Sequence, residues 1–254
     1  MRKAKKEERL FLYTTLYDEL FKQVPHHPQL ILKRDATLRI IEISKQIKLL
    51  KHFLTRESTF LEVGSGDSQL AIEIAKHVRK VYAIDVSREI SKGTNFPGNF
   101  ELIISDGCSI PVPQNSVNIV YSNQLMEHLH PNDALDQLRN IYSALTQDGR
   151  YVCITPNRLC GPHDISKYFD DVATGFHLKE YTVTELSILF RKAGFSSICI
   201  YIGGNGFYVR FPLFTMKVFE KLLNKIPRSK RRTIAETSII KAILGVTITG
   251  LKAS

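Results

Sequence analysis

The sequence predicts an α/β domain built on a mostly parallel sheet. From residue 59 onward, short apolar runs alternate with amphipathic stretches, which is the pattern of βαβ units. The first apolar run ends in Gly64-Ser65-Gly66, and the second and third end in Asp85 and Asp106. Polar residues that follow parallel strands meet at one edge of such a sheet, where open α/β folds bind their ligands.

Six apolar runs are predicted to be strands, and a seventh forms the last strand. The runs are Thr59–Val63, Val81–Ile84, Phe100–Ile104, Val117–Tyr121, Arg150–Thr155 and Phe195–Ile202, followed by residues 244–251. The last strand is expected to run antiparallel, as late strands in such sheets often do. Helices are expected between the strands, including one that begins at Pro131 and one that Thr182 or Thr184 caps and Gly194 ends.

The chain divides into three predicted regions. Residues 1–58 are expected to form an N-terminal helical extension that Pro25 and Pro28 interrupt, and residues 59–254 the ligand-binding domain. Within that domain, residues 205–242 join large apolar side chains to many basic ones. They are predicted to form a helical insertion between the last two strands. This insertion either forms a lid over the acceptor, rests on an anionic membrane, or packs on the sheet as an ordinary helix.

The net charge of +10 is unevenly distributed. Residues 1–58 and 205–254 carry +6 and +8, whereas residues 59–204 carry −4. An anionic partner should therefore meet the basic flanks, although basic flanks can equally be ordinary solvated faces. The N-terminus lacks the apolar core of a secretory signal, and a cytoplasmic location is expected, with a peripheral contact to an anionic membrane left open.

Composition excludes several classes of protein. A hydrophobic content of 43% is that of a folded chain, and no run approaches the about 20 apolar residues of a membrane span. The four cysteines form no CxxC pair, so we predict neither a metal site nor a disulfide framework.

The loop after the first strand is typical of a ligand-binding turn. Glycines at 64 and 66 allow a tight turn and a close approach of backbone to ligand beside a helix N-terminus. Ser68 stands near the place of the third glycine of the dinucleotide fingerprint, which favours a ligand without a pyrophosphate. Asp85 lies 19 residues beyond Gly66, where a carboxylate accepts hydrogen bonds from both hydroxyls of a ribose.

Asp106 ends the third strand, where it could accept a hydrogen bond from an adenine amino group beside the N–H of Gly107 or Cys108. The alternative is that Asp85 and Asp106 merely start turns or cap helices. Three consecutive strands that each deliver a polar residue to the carboxyl edge favour the ligand-binding interpretation.

Four segments resemble the class I S-adenosylmethionine (SAM) dependent methyltransferases, and especially the small-molecule branch that makes ubiquinone and menaquinone. They are FLEVGSGDS, VYAIDVS, SDGCSIPVPQNSVNIVYSNQLMEHL and LTQDGRYVCITPN, within residues 59–202. The resemblance implies a Rossmann-like sheet, SAM as cofactor and S-adenosylhomocysteine (SAH) as product. It also implies a cofactor site formed by Glu62, Gly64, Ser65, Gly66, Asp85, Val86, Asp106, Gly107, Cys108 and Asn123.

Methyl transfer from a sulfonium asks the protein mainly to align donor and acceptor and to exclude water. A base is needed only when the acceptor must lose a proton, and His128, after the fourth strand, is the candidate base. The alternative is a structural histidine bonded to backbone. His163, Tyr168 and His177 lie in a long polar loop over residues 157–178 and are expected to line the acceptor pocket, unless that loop is only structural.

The predicted function is methylation of a small, amphiphilic acceptor. A nucleic-acid methyltransferase is the first alternative, but the fourth strand is followed by SNQL rather than an Asn/Asp-Pro-Pro-aromatic motif. A SAM-binding protein without catalysis is the second alternative. A nicotinamide dehydrogenase would need the missing third glycine. The oligomeric state is not predicted.

Overall fold

One eight-stranded sheet organises the chain in the computed structural model, which describes residues 1–24, 36–204, 206–235 and 237–253. Pro25 and Pro28, predicted to interrupt the N-terminal helices, lie outside the described residues. The strands are β1 (Thr59–Val63), β2 (Lys80–Asp85), β3 (Phe100–Ile104), β4 (Val117–Asn123), β5 (Leu145–Thr155), β6 (Ile198–Gly204), β7 (Phe207–Phe211) and β8 (Val246–Leu251).

The strands are arranged in the order β3-β2-β1-β4-β5-β8-β6-β7. All pairs from β3 to β5 are parallel, and β8 runs antiparallel between β5 and β6. The predicted fold class, with its antiparallel last strand, is therefore confirmed. The strand order reverses between β1 and β4, and the crevice at such a reversal is the ligand site of open α/β sheets.

Eight α-helices occupy the described part of the chain. They are α1 (Lys6–Gln23), α2 (Ala36–Leu50), α3 (Gln69–Ala75), α4 (Pro131–Ala144), α5 (Val183–Ala193), α6 (Leu213–Asn224), α7 (Arg228–Ala235) and α8 (Ser238–Leu244). Thr182, rather than Thr184, caps α5 in a capping box with Glu185, and Gly194 ends that helix at a φ of 112°. None of these helices combines the length and the apolar character needed to cross a membrane.

The sheet lies between two layers of helices, because successive strand residues point to opposite faces. Phe60, Ile119 and Val152 pack with side chains of α2 and α3. Their neighbours Leu61, Val120 and Tyr151 pack with α4 and α5 on the other face. The central strands are consequently buried on both sides, which explains why they are continuous apolar runs in the sequence.

The segment predicted to be helical from residue 207 begins instead with a strand. Strand β7 pairs antiparallel with β6 and forms the edge of the sheet, so the prediction of helix is wrong for Phe207–Phe211. Beyond it, α6 is fixed to the domain by the buried Glu220. The Glu220 carboxylate accepts hydrogen bonds from the N–H groups of Val183 and Thr184, in the first turn of α5. A carboxylate at a helix N-terminus is favoured by the helix dipole.

Helix α1 is attached to α4 by a buried ion pair. The Arg9 guanidinium donates from Nε and Nη2 to the two carboxylate oxygens of Asp133, over 2.7 and 2.5 Å. The Tyr13 hydroxyl donates to the same carboxylate and accepts from the N–H of His130. Burial opposes ionisation of Asp133, but the bonds from Arg9 and Tyr13 outweigh it and lower the pKa of this carboxyl.

Removing the charge of Asp133 should destabilise the protein strongly. Asp133→Asn leaves the Arg9 guanidinium buried without its counter-ion, and breaking such a pair costs about 3–5 kcal/mol of unfolding free energy. Denaturant unfolding followed by circular dichroism measures the change. Asp136→Asn, one turn later at an exposed pair with Lys6, is the matched control and should have little effect. Equal stabilities of the two variants would contradict the anchoring role.

Candidate functional site

The loop between β1 and α3 adopts the tight turn that its glycines predict. Gly64 and Gly66 have φ values of 72° and 52°, and the N–H groups of Gly64 and Ser65 donate to the carbonyl of Ile84 in β2. Ser68, at the place of the missing third glycine, also has a positive φ of 60°. The serine therefore takes the left-handed conformation that a glycine would adopt with less strain, and the turn is preserved.

Asp85, at the end of β2, faces this loop. Its carboxylate accepts from the N–H of Gly66 over 2.7 Å and from the N–H of Ser87 over 3.0 Å. Burial raises the pKa of Asp85 to about 6, against the opposing effect of these hydrogen bonds. The ends of β1 and β2 thus converge on one acidic group beside a glycine turn.

A cavity opens at this edge of the sheet, beside the reversal of strand order. Seven of the predicted site residues line it, namely Gly64, Gly66, Asp85, Val86, Gly107, Asn123 and His128. A polar recess adjoins it on the other side of the glycine loop, lined by Glu62 and Ser65 among others. Nine predicted residues from four strand ends are therefore brought to two adjoining cavities.

Asp106 and Cys108 are engaged within the protein. The Asp106 carboxylate accepts from the N–H groups of Cys108 and Ser109 and from the Ser109 hydroxyl, and these bonds outweigh partial burial and lower its pKa. The Cys108 thiol is buried in the core. Gly107 and Ser109 are the residues of this turn that line the cavity, and contact of Asp106 with an adenine stays a prediction.

Two tyrosines of α1 also line the cavity, and the sequence analysis missed them. Tyr13 and Tyr17 are four residues apart and so lie on one face of the helix. The Tyr13 ring packs against Gly107, at 3.2 Å from the position that a Cβ there would occupy. Their helical spacing was a usable signal, but nothing in the sequence showed that α1 would dock over the sheet edge.

The polar recess is lined by one acidic and one basic side chain, each of which buries a polar atom. Oε2 of Glu62 and Nε of Arg39, from α2, both lack a hydrogen-bond partner among the described residues, and both side chains line the recess. Burial raises the pKa of Glu62 well above its usual range. Because unpaired buried polar atoms cost free energy, the recess is suited to a ligand that carries both an ammonium and a carboxylate.

A second cavity joins the first at Tyr13, Tyr17 and His128, which line both. Its wall is mostly apolar and includes Leu16 and Leu20 of α1, and Phe176 and Leu178 of the long loop after β5. The Tyr17 and His128 rings meet edge to face, with centroids 6.0 Å apart. The geometry therefore provides two compartments that meet at an aromatic boundary.

His128 is held by its Nδ1, which lies 3.2 Å from the carbonyl oxygen of Phe176. A carbonyl only accepts, so Nδ1 carries the proton and the lone pair of the neutral ring is on Nε2. Burial, together with the nearby His177, lowers the pKa of His128 to about 4. The ring is consequently neutral at pH 7 and is a weak proton acceptor.

His163 and His177 share one partner, the buried Glu180. Nδ1 of His177 lies 2.7 Å from Oε1 of Glu180, and Nδ1 of His163 lies 3.2 Å from Oε2. Burial opposes ionisation of Glu180, but the hydrogen bonds from the two histidines lower its pKa to about 2. His177 also packs against the His128 ring, with centroids 4.9 Å apart.

Tyr168 lies apart from these residues, with 77% of its surface exposed. From the same loop, the residues that line the second cavity are Thr174, Gly175, Phe176 and Leu178. Of the three residues predicted to line the acceptor pocket, only His177 packs against a residue of the cavity wall, His128. The role of His163, Tyr168 and His177 in acceptor binding stays a prediction.

Curated proteins similar to the chain are named as methyltransferases. One from Mycobacterium tuberculosis (strain H37Rv), named a probable SAM-dependent methyltransferase, is 29% identical over 142 residues, which cover 55% of this chain and 49% of that protein. An uncharacterized methyltransferase of Staphylococcus carnosus is 23% identical over 66% of this chain and 79% of its own length. The chain spans about half the length of the mycobacterial relatives it matches.

Solved structures share the fold at low sequence identity. Phosphoethanolamine N-methyltransferase 1 of Haemonchus contortus, in complex with phosphoethanolamine and SAH, superposes with a TM-score of 0.63 at 14% identity, over 99% of this chain and 50% of that one. A SAM-dependent methyltransferase of Archaeoglobus fulgidus gives a TM-score of 0.54 at 16% identity, over 83% and 93%.

A family model described as a methyltransferase domain matches residues 35–200, which is more than half of the chain. The match covers β1 to β5, the glycine turn, Asp85 and His128. Together with the relatives, it confirms the prediction of SAM as cofactor. The chain belongs to the family of SAM-dependent methyltransferase domains.

Proposed function

We propose that the protein transfers the methyl group of SAM to a small, amphiphilic acceptor. The observation that carries this proposal is the junction of the two cavities at Tyr13, Tyr17 and His128. One cavity has the polar groups suited to SAM, and the other has an apolar wall. A methyl group delivered at their junction would pass directly from donor to acceptor.

In the proposed complex, SAM lies across the carboxyl ends of β1, β2 and β4. Asp85 accepts hydrogen bonds from the ribose hydroxyls, and Gly107 and Ser109 border the adenine. The amino-acid end of SAM enters the polar recess, where its ammonium faces Glu62 and its carboxylate faces Arg39. Both unpaired atoms would then form a hydrogen bond to a charged group, and such bonds are the strongest hydrogen bonds in proteins.

The acceptor occupies the second cavity, between α1 and the loop after β5. Leu16, Leu20 and Phe176 provide an apolar surface for its hydrophobic part. The methylated atom lies near Tyr17 and His128. Catalysis then rests mainly on alignment and exclusion of water, with His128 as the predicted base for an acceptor that must lose a proton. An apolar acceptor cavity agrees with the predicted likeness to the quinone-biosynthesis branch.

The surface formed by β7 and α6 supports a peripheral contact with an anionic membrane. Its side chains Phe207, Phe214, Val218 and Leu222 are exposed, Phe214 by 78%. Phe214, Val218 and Leu222 follow one another at intervals of four and form a stripe on α6. Arg210, Lys221 and Lys225 are exposed on the same elements or at their end. Apolar residues flanked by basic ones are typical of helices that lie in a membrane interface.

Calorimetric titration of SAH tests the cofactor site. Asp85→Ala removes the acceptor of two hydrogen bonds, each worth about 1.5–3 kcal/mol when one partner is charged, so affinity should fall at least about a hundredfold. Glu101→Ala, at an exposed position on β3, is the control and should bind as the wild type does. Unchanged affinity in Asp85→Ala would reject the proposed ribose contact. Release of SAH with a panel of hydroxylated and aminated amphiphiles then tests turnover, and its absence would favour the non-catalytic alternative.

SAH binding should weaken in acid. The ribose hydroxyls need the ionised Asp85, whose pKa is about 6 in the free protein. The contribution of Asp85 to affinity should therefore be constant well above pH 6 and fall about tenfold for each pH unit below it, because a proton competes with the ligand. The same titrations on Asp85→Asn isolate this group. If Asp85→Asn keeps the wild-type dependence of SAH affinity on pH, another group, such as Glu62, is responsible for it.

Flotation with liposomes tests the membrane contact. The wild type should float with vesicles containing anionic lipid and not with neutral ones, because basic side chains each add about 1 kcal/mol of attraction to an anionic surface. Phe214→Ser combined with Leu222→Ser should remain at the bottom of the gradient. Phe11→Ser, at an exposed position on α1, is the control and should float. Failure of the wild type to float with either lipid would reject the membrane contact.

A further inference from the structure

We propose that Glu127, His128 and His177 form a binding site for a single divalent transition metal ion, with Zn²⁺ as the best match. One ligand atom from each of the three residues lies within 4.8 Å of the other two. The residues come from two separate parts of the chain, the turn after β4 and the long loop after β5. No local spacing of histidines or cysteines indicates this set, which is why no metal site is predicted from the sequence.

The hydrogen bonds around the two histidines are those of metal ligands. A ligating histidine generally donates its second ring N–H to a carbonyl or a carboxylate, which fixes the tautomer and the ring orientation. Nδ1 of His128 is bonded to the carbonyl of Phe176, and Nδ1 of His177 to the carboxylate of Glu180. Both rings therefore keep Nε2 for a ligand, and the two rings lie nearly perpendicular with centroids 4.9 Å apart.

Glu127 supplies an independent observation. The residue is fully buried, and its Oε2 accepts from the hydroxyl of Thr155 over 2.8 Å. Within the described part of the chain, its Oε1 has no hydrogen-bond partner. A buried carboxylate oxygen without a partner is costly and calls for an explanation. A cation bound between Oε1 and the two imidazoles supplies the missing partner.

The ligand set selects the type of ion. Two histidines and one glutamate form a borderline-soft set that suits Zn²⁺ and related ions rather than Mg²⁺ or Ca²⁺, which prefer oxygen ligands alone. Zn²⁺ binds its ligands tetrahedrally at about 2.0–2.2 Å, so two ligand atoms of a formed site lie about 3.3–3.6 Å apart. The three ligand atoms here lie within 4.8 Å of one another, so side-chain movements that shorten the largest separation by at most about 1.5 Å would close the site around the ion.

Three protein ligands leave a coordination position open, as catalytic zinc sites do. His128 lines both cavities, so the open position belongs to their junction. This role rests on the proposed function: a hydroxyl of the acceptor binds there and releases its proton to solvent more readily. The acceptor oxygen then bonds to the methyl carbon as the sulfur–carbon bond breaks, giving methyl ether and SAH. His128 is in this case a ligand and not the base.

Titration of Zn²⁺ into untagged, EDTA-treated full-length protein tests the site. Calorimetry should give one ion per chain, and Co²⁺ should give visible absorption typical of a low-coordinate site with nitrogen ligands. His177→Ala and Glu127→Gln should each weaken Zn²⁺ binding at least about a hundredfold, and Glu180→Gln, which orients His177, about 10–100-fold. His77→Ala, at an exposed position, is the matched control and should bind as the wild type does.

Titration of SAH into the same samples separates this proposal from the proposed function. SAH binding by the ligand variants shows that they fold. Stoichiometric Zn²⁺ binding that His77→Ala keeps and His177→Ala loses supports the site, whether or not SAH binds. No Zn²⁺ binding by a wild type that binds SAH, or equal binding by His177→Ala and His77→Ala, would overturn the metal site and leave the proposed function standing.

Discussion

The buried ion pair between Arg9 and Asp133 holds α1 over the cofactor cavity, and the closed shape of that cavity depends on it. Burying two charges costs several kcal/mol, which is recovered only when the geometry satisfies both groups. Here the carboxylate accepts from Nε and Nη2 of the guanidinium and from the Tyr13 hydroxyl. That arrangement fixes α1 along its length, so Tyr13 packs on Gly107 and Tyr17, one turn later, meets His128. The ends of the strands form one side of the site, and α1, which this ion pair holds in place, covers the other.

Those parts of the fold that depend on local sequence could be predicted. Buried parallel strands are short apolar runs, and the glycine turn and Asp85 follow two of them directly. Strand β7 could not be predicted in the same way, because Phe207–Phe211 consists of four large apolar or aromatic residues and one arginine, which also suit a helix. Its structure is decided by pairing with β6 at the sheet edge, which is a tertiary contact. The docking of α1 is likewise decided by a partner 124 residues away.

The histidines show the same limit at the site. The polar and aromatic composition of the loop after β5 indicates a functional loop. It does not distinguish His177, which contacts His128, from Tyr168, which is exposed to solvent. The distinction depends on Glu180, whose buried carboxylate holds His163 and His177 in place. Glu127 was likewise inconspicuous in the sequence. Glu127 matters for the proposed metal site because it is buried beside two imidazoles. These come from two segments that are far apart in the sequence, so no local spacing indicates the group.

Both cavities share α1, and this has a thermodynamic consequence. Tyr13 and Tyr17 line the cofactor cavity and the acceptor cavity alike, so a ligand that requires the docked helix in one cavity stabilises the wall of the other. By linkage, such a ligand raises the affinity for its partner by the same factor in either order of binding. A flat sheet edge could bind SAM without this coupling. With SAM and its acceptor in the two cavities, as proposed, the N-terminal helix would make their binding interdependent, which suits a reaction that must exclude water from the sulfonium.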